Sequence, residues 1–377
     1  MNSMHQDDTF LNRYFSDIEK ELAQSLEPPE KDENASVKIR HLKSIVKKFS
    51  VLGLFVVNGN GKKRYLFSKA RKNSGESDFH TAIQNENQRA IAKNEYEKLC
   101  ETHQKFAEKT HLKVSTPIAF IDELNTMIFA RAEGKDLSRY INSYALKPAL
   151  DAETRANFLR IAELIAAWIT HYHHVFELEP EELDKAAFLD GIILSAERME
   201  KFKNEIPVEK LNDIKRQLDH CFKQKKVCLY RARLHGDYKP KHIWHEDAKA
   251  LTVIDFGNEI ESQSIYEDLA GFIVEIQLLD FGFSFHKINR LPEFIEQAFI
   301  ANYGGRIDKN VLTVFIIKYL IKKWSRRKRR LCRFSERHFR IKKVPIVSTF
   351  GECYTDLYFQ RKIRQRLSQL NEKASTT

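Results

Sequence analysis

Hydrophobic periodicity shifts from mostly strand-like to mostly helical near Gly134 of this 377-residue chain, and that shift constrains the fold more than any other feature. Before it, apolar runs of strand length dominate. FSVLGLFVV from Phe49 and RYLFSKA from Arg64 are rich in β-branched and aromatic residues, and the NGNGKK between them reads as a hairpin turn. A helical stretch follows from about 80 to 109, with Ile91, Tyr96, Leu99 and Phe106 on one face. STPIAFI and TMIFARA then form two more strands about the turn DELN. After Gly134 the period is helical to about 224, two short strand-like pieces reappear within 228–257, and the remainder returns to helix. The order strand, strand, helix, strand, strand, then mostly helix, predicts an α+β protein with a small antiparallel-sheet lobe and a larger helical lobe.

The boundaries expected from this pattern are an N-terminal appendage at 1–35, a first lobe at 36–131, a helical lobe at 132–310 and a basic helical extension at 311–377. The appendage is polar and acidic and carries one short helix around FLNRYFSDIEKELAQSL. Apolar stretches such as VLTVFII (311–317) and LAGFIVEIQLL (269–279) are cut by Lys318, Glu275 and Asp280 before they could span a bilayer. MNSMHQDDTF lacks the basic and apolar regions of a secretory signal, so the sequence predicts a cytoplasmic protein. Five cysteines without a C-x-x-C pair fit reduced thiols. A net charge of +11 predicts an anionic partner without choosing among a nucleotide, a glycolipid, a membrane and a nucleic acid.

Chemistry concentrates in HGDYKPKHIW (235–244) and VIDFGN (253–258). Phosphoryl transfer needs one aspartate to orient the attacking hydroxyl and accept its proton, and oxygen ligands that hold magnesium on the phosphates. Asp237 and Asp255 stand 18 residues apart, room for a short hairpin between them. His235, Gly236 and Asp237 match the H-R-D pattern, and Asp255, Phe256 and Gly257 match D-F-G.

On these residues the chain resembles the kinase-like phosphotransferases, and HGD in place of HRD resembles the aminoglycoside phosphotransferase and choline kinase branch. The resemblance covers roughly residues 45–305 and implies a bilobal protein-kinase-like fold using ATP and Mg2+. It makes Asp237 the catalytic aspartate and Asp255 a metal ligand. Lys69 resembles the strand lysine on the nucleotide phosphates. Glu95 resembles its helix partner, with Glu86 a competing choice. Residues Ala130 to Ala132 resemble the hinge whose backbone bonds adenine. Asp268, in YEDLAGF, resembles the aspartate that braces the loop containing His235. His242 stands where the family has a metal-binding asparagine, and imidazole suits magnesium less well than an amide oxygen. Bacterial lipopolysaccharide inner-core kinases resemble this chain there, with a D-L-A-G stretch like Asp268 to Gly271. Lys239 resembles the lysine that neutralises charge on the transferred phosphate.

The expected acceptor is therefore a hydroxyl of a sugar or glycolipid. A soluble kinase for cationic acceptors, with Glu179, Glu181 and Glu182 as candidate contacts, and a non-catalytic binding module are the rivals. His171, His173 and His174 lie at the end of an apolar helix without metal-ligand spacing and read as a satisfied helix end. Residues 318–343 hold 13 Lys and Arg against Glu336. If helical, this run presents Tyr319, Leu320, Trp324, Leu331 and Phe334 to protein or lipid, and it could lie on an anionic inner-membrane surface or form a solvated basic face. Nucleic acid is the poorest of the anionic partners.

Overall fold

The computed structural model describes residues 2–26, 37–59, 62–72, 79–145, 147–176, 178–197, 212, 214–216, 218–219, 227–279, 281, 289–305, 307–338 and 345–374. They fall into two units, one of 1–135 with 242–257, the other of 136–241 with 258–377.

In the first unit, β1 (Lys38–Val46), β2 (Ser50–Gly59) and β3 (Lys62–Arg71) form an antiparallel meander. With β5 (Pro117–Ile121) and β6 (Thr126–Ala130) they make a five-stranded sheet in the order β1-β2-β3-β6-β5. The predicted strands are present and pair as far as Gly59 with Lys62, while residues 60–61 of the NGNG turn lie outside the described residues. Val51, Phe55 and Val57 alternate inward along β2 and are essentially buried, as period-2 patterning requires.

Contrary to the appendage expected at 1–35, residues 2–25 form a long helix, α1 (Asn2–Ser25), that completes this core. Tyr14, Phe15, Ile18 and Leu22 follow helical spacing and pack with Phe55, Val57 and Leu66. The acidic composition hid this, because only one stripe of the helix is apolar.

The predicted helix at 80–109 is divided by Asn85 into α2 (Phe79–Gln84) and α3 (Glu86–Lys105). The Asn85 side chain accepts from the Gln88 amide as an N-cap. Its inward face is Ala92, Glu95, Leu99 and Thr102, while Ile91 is exposed, so the expected apolar face is rotated. A buried Glu95 decides the rotation, since it has cationic partners to meet. A second sheet joins β4 (Leu112–Val114), parallel, to β11 (Ala250–Val253), which pairs antiparallel with β10 (Ile243–Glu246). β10 and β11 are the hairpin expected between the two aspartate motifs, and Asp247 and Ala248 turn it at positive φ. The two-residue strand β7 (Lys135–Asp136) marks the passage of the chain into the second unit.

The second unit holds α4 (Leu137–Ser143), α5 (Ala152–Val175) and α6 (Lys185–Glu197). A small antiparallel sheet follows, ordered β12-β9-β8, from β8 (Glu179–Glu182), β9 (Cys228–Leu234) and β12 (Ile260–Ser264). Four more helices complete it: α7 (Tyr266–Leu278), α8 (Leu291–Asn302), α9 (Lys309–His338) and α10 (Pro345–Ala374). α7 is buried along most of its length, with Leu269, Phe272, Ile273 and Ile276 sealed from solvent.

The basic stretch is not an appended arm: α9 buries Ile317, Leu320, Ile321 and Trp324 inside the unit. Trp324 Nε1 donates to Asp356 Oδ1 of α10 at 2.7 Å, and the buried Lys328 reaches Asp356 Oδ2 at 3.0 Å. Its apolar residues therefore face protein rather than lipid, while residues 339–343 and the side chain of Phe334 lie outside what is described. Among the described residues, no helix is long and apolar enough to cross a membrane.

Candidate active site

The chemistry in the first unit starts from strand alternation. Lys69 and Arg71, two residues apart on β3, share one face of the sheet, and Glu95 comes in from α3. Lys69 Nζ donates to Glu95 Oε1 at 2.6 Å and to Asp255 Oδ1 at 2.8 Å. Arg71 Nε donates to Glu95 Oε2 at 2.7 Å, and its Nη2 reaches the Gly257 carbonyl at 3.0 Å. Burial pulls the Lys69 pKa down, but the carboxylates of Glu95 and Asp255 outweigh it and hold the ammonium protonated well above its ordinary range. Of the two glutamates, Glu95 is the one that meets Lys69, whereas Glu86 is exposed in the first turn of α3.

Asp255 follows β11 with φ of 71°, left-handed backbone that a non-glycine residue rarely adopts. Both its carboxylate oxygens have neighbours that over-determine this geometry, Lys69 on Oδ1 and His242 Nε2 at 3.4 Å from Oδ2. At Gly257 an added Cβ would lie 2.3 Å from Arg71 Nη2 and 2.8 Å from the Glu95 carboxyl, so a side chain there would push the Arg71–Glu95 pair aside.

Ala130 lies at the end of β6, where its amide donates to the Thr116 carbonyl at 2.8 Å and its carbonyl accepts from Ser115 Oγ at 2.9 Å. The Arg131 amide donates to Tyr65. Of the expected hinge groups, those of Ala130 and the Arg131 amide are engaged within the protein, and Ala132 is buried.

In the second unit the loop 235–239 is organised by one carboxylate. Asp268, in the first turn of α7 and 3% exposed, accepts from the His235 amide at 2.8 Å and from the Gly236 amide at 3.0 Å. His173 Nε2 lies 3.4 Å from the same carboxylate and its Nδ1 3.1 Å from the Tyr303 hydroxyl. His173 thus packs as a structural helix-end residue, in keeping with the reading of the 171–174 cluster. Gly236 has φ of 70°, and a Cβ there would stand 1.9 Å from the Asn258 carbonyl. Tyr238 anchors the loop from the other side, stacking on Trp168 and donating to the Ile165 carbonyl at 2.9 Å.

Held between these anchors, Asp237 stays about a third exposed, and Lys239 Nζ reaches its Oδ2 at 2.5 Å. Glu181, expected as a contact for a cationic acceptor, instead lies on β8 and pairs with Arg231 of β9 at 3.4 Å.

Sequence reasoning brought the structure's groupings into view in two sets: Lys69, Glu95, His242 and Asp255 in the first unit, His235, Asp237, Lys239 and Asp268 in the second. It missed Arg71, although the period of two from Lys69 is the signal that places it on the same face. It also missed a cavity of about 710 Å3 in the second unit, lined by Asp237, Lys239 and basic residues of α9. Spacing of i, i+3, i+4 and i+7 among those residues is the signal for it.

No family model matches the chain, and no curated protein matches it. Solved structures do. A glucosamine kinase in complex with glucosamine, ADP and inorganic phosphate aligns over 88% of this chain and 83% of its own, at 13% identity and a TM-score of 0.51. A glucosamine kinase in another crystal form aligns over 92% and 86%, at 12% identity and a TM-score of 0.50. A choline kinase from Streptococcus pneumoniae aligns over 95% and 99%, at 13% identity and a TM-score of 0.44. With a lysine bridging a helix glutamate and the D-F-G aspartate, and a second aspartate on a loop braced from the following helix, the chain has the fold of the kinase-like phosphotransferases.

Proposed function

We propose that the protein transfers the γ-phosphoryl group of ATP to a hydroxyl of a sugar or another small hydroxyl-bearing molecule. The observation that carries this reading is the Lys69 ammonium, kept charged between Glu95 and Asp255 and so presented as a fixed cation for nucleotide phosphate. Asp237 is the base. Its carboxylate orients the acceptor hydroxyl and takes its proton as the acceptor oxygen bonds to the γ-phosphorus; the bond from that phosphorus to the β–γ bridging oxygen breaks, and ADP leaves. Lys239, on the Asp237 carboxylate, steadies negative charge on the phosphoryl in transit.

Asp255 supplies a partly exposed carboxylate oxygen suited to magnesium, with the His242 imidazole beside it as a weaker nitrogen donor. When bound, the metal would shield the phosphate charge. ATP is the proposed nucleotide, and Ala132 the proposed contact for its base.

A sugar acceptor is favoured because the fold is shared with glucosamine kinases, a fold-level analogy. The sugar could be free or borne on a glycolipid such as lipopolysaccharide core. In the second case the exposed basic residues of α9 would meet an anionic inner-membrane surface through charge alone, since the apolar side of that helix is buried.

The test is nucleotide turnover by the purified protein with a panel of sugars, monitored as ADP release. Asp237→Asn and Asp255→Asn should each lower turnover by about 10²- to 10⁴-fold while the unfolding midpoint is kept. Turnover unchanged in either variant refutes the mechanism; ATP binding retained with no turnover by the wild-type protein favours a binding module.

A further inference from the structure

The cavity in the second unit has two unlike walls. One is the loop of Asp237 and Lys239; the other is a stripe on α9, Lys323, Arg326, Arg327 and Arg330. These four positions fall on one helix face, while Leu320, Ile321, Trp324 and Lys328 turn the other way into the core. Cationic side chains within one turn of each other repel, and little in the protein relieves this. Lys323 is taken by Glu275, but among the described residues Arg326 and Arg330 form no ion pair, and Arg327 lies over the Phe281 ring at 4.1 Å. Burial, and then the neighbouring Arg330, hold the Arg327 pKa below its ordinary value, and Glu275, the carboxylate in the cavity lining, offsets them only in part. A patch of this kind is stabilised by an anion, and guanidinium groups suit phosphate through paired N–H donors. Its position beside Asp237 makes that anion part of whatever the base acts on.

Resting on the phosphotransferase reading above, we propose that the acceptor is itself anionic: a hydroxyl-bearing sugar that already carries a phosphate group, seated on Arg326, Arg327 and Arg330 with its free hydroxyl toward Asp237. Cationic acceptors of the choline or aminoglycoside kind are disfavoured by the same wall, and Glu179, Glu181 and Glu182 are absent from the lining. The phosphate can belong to a soluble sugar phosphate or to a phosphorylated glycolipid whose head group enters the cavity. A reaction that attaches the first phosphate must then precede this one.

Calorimetric titration of the full chain with inorganic phosphate, glucose 6-phosphate, glucose and glucosamine, with and without a non-hydrolysable ATP analogue and magnesium, tests this. Phosphate and glucose 6-phosphate should bind, glucose at least about tenfold more weakly, the smallest factor expected for one lost charge-assisted hydrogen bond. The exposed pair Arg326→Gln with Arg330→Gln should abolish that discrimination while the analogue binds as before and the unfolding midpoint holds. Phosphatidylcholine vesicles carrying a phosphorylated glycolipid form the second arm: binding there and not to glucose 6-phosphate assigns the phosphate to a lipid-borne acceptor.

Equal binding of glucose and glucose 6-phosphate without vesicle binding, or tighter binding of glucosamine, overturns the proposal. So does a loss of analogue binding in the double variant, which would give the stripe to the nucleotide. A protein that binds phosphate through these arginines but never binds the analogue removes the phosphotransferase reading and keeps the anion site.

Discussion

Lys69 and Glu95 are joined by a 2.6 Å hydrogen bond between the third strand of the first sheet and the long helix behind it, and both side chains are largely shielded from water. In such surroundings the pair is worth more as geometry than as stability, because desolvating two charges offsets much of their attraction. Lys69→Met removes the cation proposed to meet phosphate and leaves Glu95 with Arg71 alone. We expect kcat/KM for ATP to fall by about 10²-fold. Arg71→Met should cost less, since Lys69 still holds Glu95 in place. Steady-state kinetics with ATP varied decide this; an Arg71 variant more damaged than the Lys69 variant would assign the phosphate contact to the arginine.

Asp268 holds two consecutive amides of the loop that carries Asp237. Hydrogen bonds to a charged acceptor contribute about 1.5–3 kcal/mol each, so Asp268→Ala should lower both stability and turnover, by about 3 kcal/mol in urea unfolding. Gly236→Ala should abolish turnover through the collision with Asn258 at positive φ. Urea unfolding measured beside ADP release separates the two effects. An Asp268 variant with normal turnover would mean that the loop keeps its shape without the brace.

The legible parts of this fold are those written in local periodicity or in the chemistry of short motifs. Alternation along Val51, Phe55 and Val57 gives a strand, and H-G-D and D-F-G give the two aspartates and the hairpin between them. What escaped depends on contacts distant in sequence. Glu95 turns inward only because Lys69 and Arg71 wait for it, and that rotation exposes Ile91, which any apolar-face argument would bury. The 13 cations of 318–343 read as a surface because charge dominates their composition, yet Leu320 and Trp324 within the run are core. Only the packing partner on α7 and α10 fixes which side of that helix faces out.

Helix α1 is integral to the first unit, so its removal should be felt throughout the sheet. Phe15 and Leu22 are buried at 2% and 0% exposure. Phe15→Ala should cost about 3–5 kcal/mol and Leu22→Ala about 2–5 kcal/mol. A chain starting at residue 26 should expose the apolar face formed by Phe55, Val57 and Leu66 and aggregate. Urea unfolding and light scattering read these effects, and a truncated chain as stable and as soluble as the whole would return this segment to the status of an appendage.

Docking of α1 against β1 carries its own acid sensitivity. The His41 ring stacks on Phe15, with centroids 4.1 Å apart, and leans on Phe55. Burial lowers the His41 pKa from 6.5; the Lys43 backbone and the Glu19 carboxylate from α1 oppose the shift without cancelling it. A histidine that resists protonation in the folded state but not in the unfolded one contributes stability fully above pH 6.5, and loses it as the pH falls toward its folded pKa. Stability should therefore decline between about pH 7 and pH 5, before most carboxylates titrate. His103 on α3, also lowered by burial, adds to the same slope. His41→Phe keeps the stacked ring and removes the proton site, so it should flatten part of the decline, and His41→Phe with His103→Gln should flatten more. Urea midpoints taken at half-unit steps from pH 7.5 to pH 5 measure the slope; a wild-type midpoint independent of pH over that window, or a slope unchanged in the double variant, would place the acid response elsewhere.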